Sequence, residues 1–193
     1  MKVILTDCDG VLLDWEYPFN CWMEEHGHRL VDPLKYAVSR RYDISEDDAH
    51  RCVRLFNESA AMGFLPPLRD AMHYVKKLHE KHGYVFHVIT SMGRDKNAHQ
   101  LRKMNLRKIF GETAFVDFTF LDIFADKSPA LSKYIDSGAM WIEDKYKNAQ
   151  LGKQYGLQCV LMEHGHSLEF EDKDITVVKN WKNIYNILTG EAE

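Results

Sequence analysis

The chain has 193 residues, of which 45% are apolar and 28% charged, and its formal net charge is −4. That is enough apolar material for one good core with a small inserted subdomain, which excludes disorder. Mild acidity excludes a protein that grips a nucleic-acid polymer by its phosphates, and no stretch approaches the roughly 20 apolar residues that cross a bilayer. The cysteines Cys8, Cys21, Cys52 and Cys159 form no C-x-x-C pair and read as free thiols of a reducing compartment, so a soluble cytoplasmic protein is expected.

In chain order, Val3-Ile4-Leu5 reads as a buried strand, and it is too short for a signal peptide because Asp7 interrupts it. Asp7-Cys8-Asp9-Gly10-Val11 follows at once. Residues i and i+2 of an extended backbone face the same side, so Asp7 and Asp9 project together, about 6–7 Å apart along the chain, with Cys8 turned into the core. Gly10 lets the backbone turn sharply without a Cβ clash. A calcium loop counted from Asp7 would need Gly sixth and Glu twelfth, and Leu12 and Pro18 stand there.

An aromatic-rich insertion runs from about Trp15 to Phe64, with helical patterns near Phe19–His28 and Ser45–Met62. Ser45 and Asp48 resemble a capping pair, and Gly63-Phe64-Leu65-Pro66-Pro67 reads as the return linker. The rest alternates. A helix near Leu68–Lys81 precedes a strand at Val85–Thr90, then a helix near Asp95–Phe110, a strand near Phe115–Phe120 and a short helix near Ser128–Ile135. A strand at Met140–Ile142 ends in Glu143-Asp144, and a helix near Asn148–Tyr155 leads to strands at Gln158–Met162 and Ile175–Val178 and a closing helix at Trp181–Leu188. Such alternation implies an α/β fold with a parallel sheet covered on both faces. Lys76-Lys77, Arg102-Lys103 and Arg107-Lys108 read as solvated helix faces, and the two Glu-His-Gly-His runs, Glu25–His28 and Glu163–His166, as surface turns.

Ligands of open α/β sheets bind at the carboxyl ends of the strands. The polar residues that end three of these strands are Asp7/Asp9, Thr90/Ser91 and Glu143/Asp144, which is what a metal-phosphate site needs.

The order Asp7-Cys8-Asp9-Gly10-Val11, then Val88-Ile89-Thr90-Ser91, then Asp126-Lys127-Ser128-Pro129, then Trp141-Ile142-Glu143-Asp144 resembles the four motifs of the haloacid dehalogenase superfamily. The resemblance runs from Val3 to about Asn148. It implies a three-layer Rossmann-like core at 1–14 and 68–193, with a small helical C1 cap at 15–67. It also implies Mg²⁺-dependent phosphomonoester hydrolysis through an aspartyl-phosphate. Asp7 would be the nucleophile, and Asp9 the general acid and base whose backbone carbonyl also reaches the metal. Asp7, Asp9 and Asp144 would hold Mg²⁺. Thr90, Ser91 and Lys127 would bind the phosphate oxygens, Lys127 being favoured over the mid-helix Lys133, while Glu143 and Asn148 would support the metal loop. A non-catalytic relative would have lost Asp7, Asp9 or the motif IV acid, and a phosphonate-cleaving one would need a cap lysine in a supporting signature, where the insertion offers only Lys35.

The short cap, Asp-Gly-Val-Leu-Leu-Asp-Trp and Phe64-Leu65-Pro66-Pro67 are similar to the 5′(3′)-deoxyribonucleotidase branch, which implies a (deoxy)nucleoside monophosphate as substrate. Trp15 and Phe19 would then line the pocket mouth, as stacking faces for a base or as core of the cap itself. A sugar phosphate is the alternative substrate. Partners are expected to be a small phosphorylated metabolite, with no nucleic-acid polymer and no membrane, and the chain a monomer or homodimer.

Overall fold

The structure is a computed structural model that describes residues 2–165 and 174–191; His166, which ends the second Glu-His-Gly-His run, lies outside the described residues. After strand β1 (Lys2–Thr6) the chain makes an insertion with helices α1 (Glu16–Glu25), α2 (Val38–Tyr42) and α3 (Glu46–Asn57). A 3₁₀ turn at Ala60–Gly63 precedes α4 (Ala71–His82). Strands β2 (Tyr84–Ser91), β3 (Phe115–Leu121), β4 (Met140–Glu143), β5 (Gln158–Met162) and β6 (Thr176–Val178) then alternate with α5 (Lys96–Phe110), α6 (Ser128–Leu131) and α7 (Tyr146–Gln154), and α8 (Trp181–Thr189) closes the described chain.

The six strands form one sheet in the order β3-β2-β1-β4-β5-β6, every pair parallel. Alternation along each strand divides its side chains between two cores. Ile4, Val88, Ile142 and Val160 enter the core shared with α4, α5 and α8 residues such as Val75, Leu106 and Ile184. Their neighbours Leu5, Ile89, Trp141 and Leu161 enter the core shared with Leu131 and Ala149 of α6 and α7. Both faces are therefore covered, which is why these strands read as nearly unbroken apolar runs. The result is the three-layer α/β architecture expected of the alternating pattern.

Differences from the sequence reading are local and have physical causes. The pattern from Ser45 to Met62 is not one helix. Ser59 hydrogen-bonds the Phe56 carbonyl at 2.7 Å and caps the next turn through Ala61 N–H at 3.2 Å, so α3 stops at Asn57. α4 starts at Ala71 rather than Leu68, because Arg69 is left-handed (φ 47°) and Asp70 is otherwise engaged. The Asp70 carboxylate accepts from Trp181 N–H (2.9 Å) and Lys182 N–H (3.0 Å), tying the start of α8 to the start of α4. The short α2, with only five residues, carries too little periodicity to be read from sequence.

The insertion is strapped where it leaves and rejoins the sheet. Asp14 N–H donates to Pro66 O and Leu68 N–H to Leu12 O, each at 2.9 Å, with Leu13 bridging Pro67 antiparallel. Behind the sheet, α7 packs on β4 and β5 through Gly152. A Cβ there would lie 2.5 Å from Trp141 Cδ1 and 2.9 Å from Cys159 Sγ, both buried. Gly152→Ala should gain the helix preference of Ala, about 1 kcal/mol, and lose more to overpacking, about 1–3 kcal/mol. A lowered urea midpoint is the expected result; an unchanged or raised midpoint would show that α7 can slide.

Candidate active site

The strand order reverses between β1 and β4, and the sheet opens a crevice at their carboxyl ends. Thr6 pairs with Ile142, and Asp7 N–H donates to Ile142 O at 2.9 Å. The next residues of both strands are thereby forced together: Asp7 from one, Glu143 and Asp144 from the other. Oxygens of these three carboxylates lie within 4.8 Å of one another. Lys127, placed by the turn into α6, enters between them and is 3% exposed. Its Nζ is 2.7 Å from Asp7 Oδ2 and 2.8 Å from Glu143 Oε2, while Asp7 Oδ1 accepts from Cys8 N–H at 2.7 Å. Lys133 is exposed.

Burial opposes the Lys127 charge, but Asp7 and Glu143 outweigh it and hold the ammonium above its ordinary range. Burial pushes the Glu143 carboxyl well up, Asp7 adds to the rise, and Lys127 works against both. Asp144 is pushed up to about 7, by burial first and by Asp7 second. The cluster is short of positive charge.

Asp9 lines the same cavity as Asp7 but has a different cation as partner. Its carboxylate pairs with both terminal nitrogens of Arg102 on α5, Nη1 to Oδ1 and Nη2 to Oδ2, the second at 3.2 Å. Arg102 is fully buried, so the expectation of a solvated Arg102-Lys103 face is corrected at Arg102. Its position shows why: Ala98, Arg102, Asn105, Leu106 and Phe110 recur on the buried stripe of α5, a period visible in the sequence and the signal that could have found it. Burial pushes the Asp9 carboxyl up, and Arg102 opposes it. Cys8 is fully buried, and burial raises its thiol far out of the reactive range.

The other candidates surround one cavity of about 450 Å³ whose lining includes Asp7, Asp9, Thr90, Ser91, Lys127 and Asp144, together with Asn148. Asn148 accepts from Trp141 Nε1 through its backbone carbonyl at 3.1 Å. The insertion supplies the opposite wall. Trp15 donates from Nε1 to Asn57 Oδ1 at 2.8 Å and stacks on Phe19 with ring centroids 4.3 Å apart. Phe19 is 1% exposed and packs also against Trp22, Tyr42 and Phe56, so the face nearer the cavity belongs to Trp15. Among the lining residues the sequence did not single out is Arg41, and the surface-turn expectation for Glu163–His166 is corrected at His164, which lines the cavity. Arg41 is buried against Glu16, and His164 donates from Nε2 to Gly10 O at 2.7 Å, with burial holding its imidazole toward the neutral form. Of the first Glu-His-Gly-His run, His26 stacks on Trp22 and His28 lies 3.9 Å from Cys52 Sγ, neither near a metal-binding group of the described residues.

Solved structures that share this architecture include several hydrolases. A haloacid dehalogenase-like family protein from Streptococcus pneumoniae superposes with a TM-score of 0.66 at 12% identity, covering 98% of this chain and 99% of that one. L-2-haloacid dehalogenase from Xanthobacter autotrophicus gives 0.63 at 12% identity over 100% of both. The chain has the haloacid dehalogenase fold. CbbY from Rhodobacter sphaeroides, solved in complex with phosphate, shares it with a TM-score of 0.60 at 17% identity, over 94% of this chain and 95% of that one. No protein-family model matches the chain. In sequence it is 26% identical over 114 residues to an uncharacterized 32.4 kDa protein from the Gp30–rIII intergenic region of Enterobacteria phage T4, a match spanning 55% of this chain and 40% of that protein.

Within this haloacid dehalogenase fold, the turn after Asp9 is closed by Gly10, at φ 72°. A Cβ there would lie 2.6 Å from Asp144 Oδ2. Gly10→Ala combines a left-handed backbone with that clash and should cost about 1–3 kcal/mol. The expected outcome is a lower melting temperature with a displaced Asp144; a variant as stable as the parent would mean the turn has slack.

Proposed function

We propose that the protein is a phosphomonoester hydrolase in which Asp7 is the nucleophile. The observation that carries this reading is Asp7 itself, at the sheet's crevice with Lys127 on one oxygen and Thr90 and Ser91 lining the same cavity. In the first step an Asp7 oxygen attacks phosphorus, the bond from phosphorus to the substrate oxygen breaks, and Asp9 gives its proton to the departing oxygen. In the second, water attacks phosphorus while Asp9 takes its proton, the Asp7–phosphate bond breaks, and inorganic phosphate leaves with Asp7 restored. Lys127, Thr90 and Ser91 bind the non-bridging oxygens, where charge is spread during transfer.

The residues fit a hard dication. All donors would be hard oxygens, the cluster carries excess negative charge, and the Asp144 carboxyl, pushed up to about 7 by burial and Asp7, has a proton that a cation would displace. Asp7, Asp144 and the Asp9 backbone carbonyl would hold Mg²⁺, with Glu143 kept on Lys127. When bound, the ion offsets the repulsion between the carboxylate nucleophile and the phosphate.

Residues 15–67 serve as a cap over a core of 1–14 and 68–193, excluding water and meeting the leaving group. A cavity of about 450 Å³ suits a small metabolite. The substrate we favour is a (deoxy)nucleoside monophosphate with its base against Trp15. A second reading, a sugar phosphate with another anionic group, is favoured by Arg41, which lines the cavity with a buried Nε that has no hydrogen-bond partner. Neighbours in structure include D,D-heptose 1,7-bisphosphate phosphatase from Burkholderia thailandensis, at a TM-score of 0.61 and 10% identity over 99% of this chain and 100% of that one.

Asp7→Asn should keep its fold by circular dichroism and lose phosphate release by at least about a hundredfold. EDTA should silence the parent and Mg²⁺ restore it, with Mg²⁺ binding tighter at about pH 8 than at about pH 6 as Asp144 sheds its proton. Turnover by folded Asp7→Asn protein, or by metal-stripped parent, would overturn the mechanism.

For the substrate, Trp15→Ala should raise KM for a nucleoside monophosphate and spare an aryl phosphate, a difference of about 1–3 kcal/mol if a base stacks there. Equal losses would assign the ring to the cap's interior. Faster turnover of a sugar phosphate than of any nucleotide, weakened by Arg41→Gln, would establish the second reading.

A further inference from the structure

We infer that Arg102 is the positioning residue for proton transfer, holding the Asp9 carboxyl in the orientation from which it serves the leaving oxygen. The inference rests on the proposed role of Asp9 and adds a residue that none of the four motifs contains. Three observations carry it. First, the guanidinium engages both Asp9 oxygens from a fully buried position 93 residues away in sequence. A planar fork fixes the plane of a carboxylate in a way that a single ammonium does not.

Second, the same two nitrogens that meet Asp9 also touch the frame. Nη1 also lies 3.2 Å from Cys8 Sγ and Nη2 lies 3.1 Å from Met62 Sδ. Its Nε has no hydrogen-bond partner. Carrying a buried guanidinium with one nitrogen unsatisfied is costly, and Asp9 is the only carboxylate it touches among the described residues. A charge placed only to fill the core would be better replaced by a Met or Leu of similar size.

Third, the helix that carries Arg102 also holds the return segment of the insertion. Asn105, also buried, donates from Nδ2 to Leu65 O at 2.9 Å, and Gly63 sits where a Cβ would touch Met104 and Leu101. Met62, Gly63 and Leu65 are thereby registered on the helix that orients Asp9. Asp9 lines the same cavity as Asp7, and its side chain keeps 22% exposure while Arg102 is fully covered. When Asp9 passes its proton to the departing oxygen, the carboxylate left behind is received by the guanidinium without moving, and the same geometry is ready when water gives that proton back.

The test is a leaving-group series. The dependence of kcat/KM on leaving-group pKa is measured with Mg²⁺ present, from p-nitrophenyl phosphate to alkyl phosphates. With Asp9 oriented, poor leaving groups are protonated as they depart and the dependence is shallow. Arg102→Lys keeps the charge and loses the fork, so alkyl phosphates should lose roughly tenfold or more beyond the loss on p-nitrophenyl phosphate. In an Asp9→Asn background, Arg102→Lys should steepen nothing further. Arg102→Gln gives the same comparison if the Lys variant does not fold. An equal loss across the whole series in a folded Arg102 variant, with Asp9→Asn alone steepening it, overturns the inference and leaves the role of Asp9 standing. A series unchanged in slope by Asp9→Asn overturns the role of Asp9 itself. A crystal structure of the parent with bound vanadate supplies a check free of variants: Asp9 paired with Arg102 is expected, and separation of the two overturns the inference.

Discussion

Four carboxylates converge at the mouth of the β1–β4 crevice, and the rest of the site is arranged around the cost of keeping them there. Asp7, Asp9, Glu143 and Asp144 face two buried cations, Lys127 and Arg102, so the cluster carries an excess of two negative charges when all are ionised. Buried charge is tolerated only when paired and hydrogen-bonded. The pairing here is divided: Lys127 takes Asp7 and Glu143, and Arg102 takes Asp9. Burial and Asp7 push the Asp144 carboxyl up to about 7, and a hydrogen bond with Glu143 works against them. A cluster electrostatically incomplete by about one dication is what the proposed Mg²⁺-dependent reaction on an anionic substrate would require.

The topology makes this concentration unavoidable. Asp7 and Glu143 are neighbours because Thr6 and Ile142 are in register across the one place where the strand order reverses. Shifting that register by one residue would send Asp7 toward the opposite face and Cys8 into the crevice. Apolar residues on both sides prevent the slip, since Ile4 and Leu5 are both buried, each in a different core. The chemistry is therefore held in place by packing far larger in extent than the site itself. Trp181 Nε1 adds a buried hydrogen bond to Val11 O at 2.8 Å, and His164 grips Gly10 O, so the turn after Asp9 is pinned from both sides.

Much of this was legible in the sequence because strand ends announce themselves. Val3-Ile4-Leu5, Val88-Ile89 and Trp141-Ile142 are apolar runs broken by polar residues, and those polar residues are the ones the sheet gathers. β5 falls at Gln158–Met162 as read, and α8 extends the reading by one residue. What sequence did not disclose depends on partners far along the chain. Asp70 resembles any helix-starting aspartate, yet it caps a helix more than a hundred residues later. Arg102 lies in a basic dipeptide that resembles solvated surface; only its place on the buried stripe of α5 sets it apart. Local propensity is blind to such pairings, because the energy that fixes them is that of an otherwise unpaired buried charge.

The insertion and Asp9 then share a mechanical connection. The straps at Asp14–Pro66 and Leu12–Leu68 confine where the insertion can pivot, and they flank the turn that carries Asp9. α5 reaches the same neighbourhood from behind, holding Leu65 through Asn105 and Asp9 through Arg102. The insertion's return segment and Asp9 are therefore held by one helix, while Asp7 is held by the sheet register and Lys127. The proposed nucleophile and the proposed acid thus hang from different supports, Asp7 from the sheet and Asp9 from the helix that also holds the insertion's return segment. That division suits a two-step reaction in which the nucleophile keeps its place while the proton carrier serves first the departing oxygen and then the incoming water.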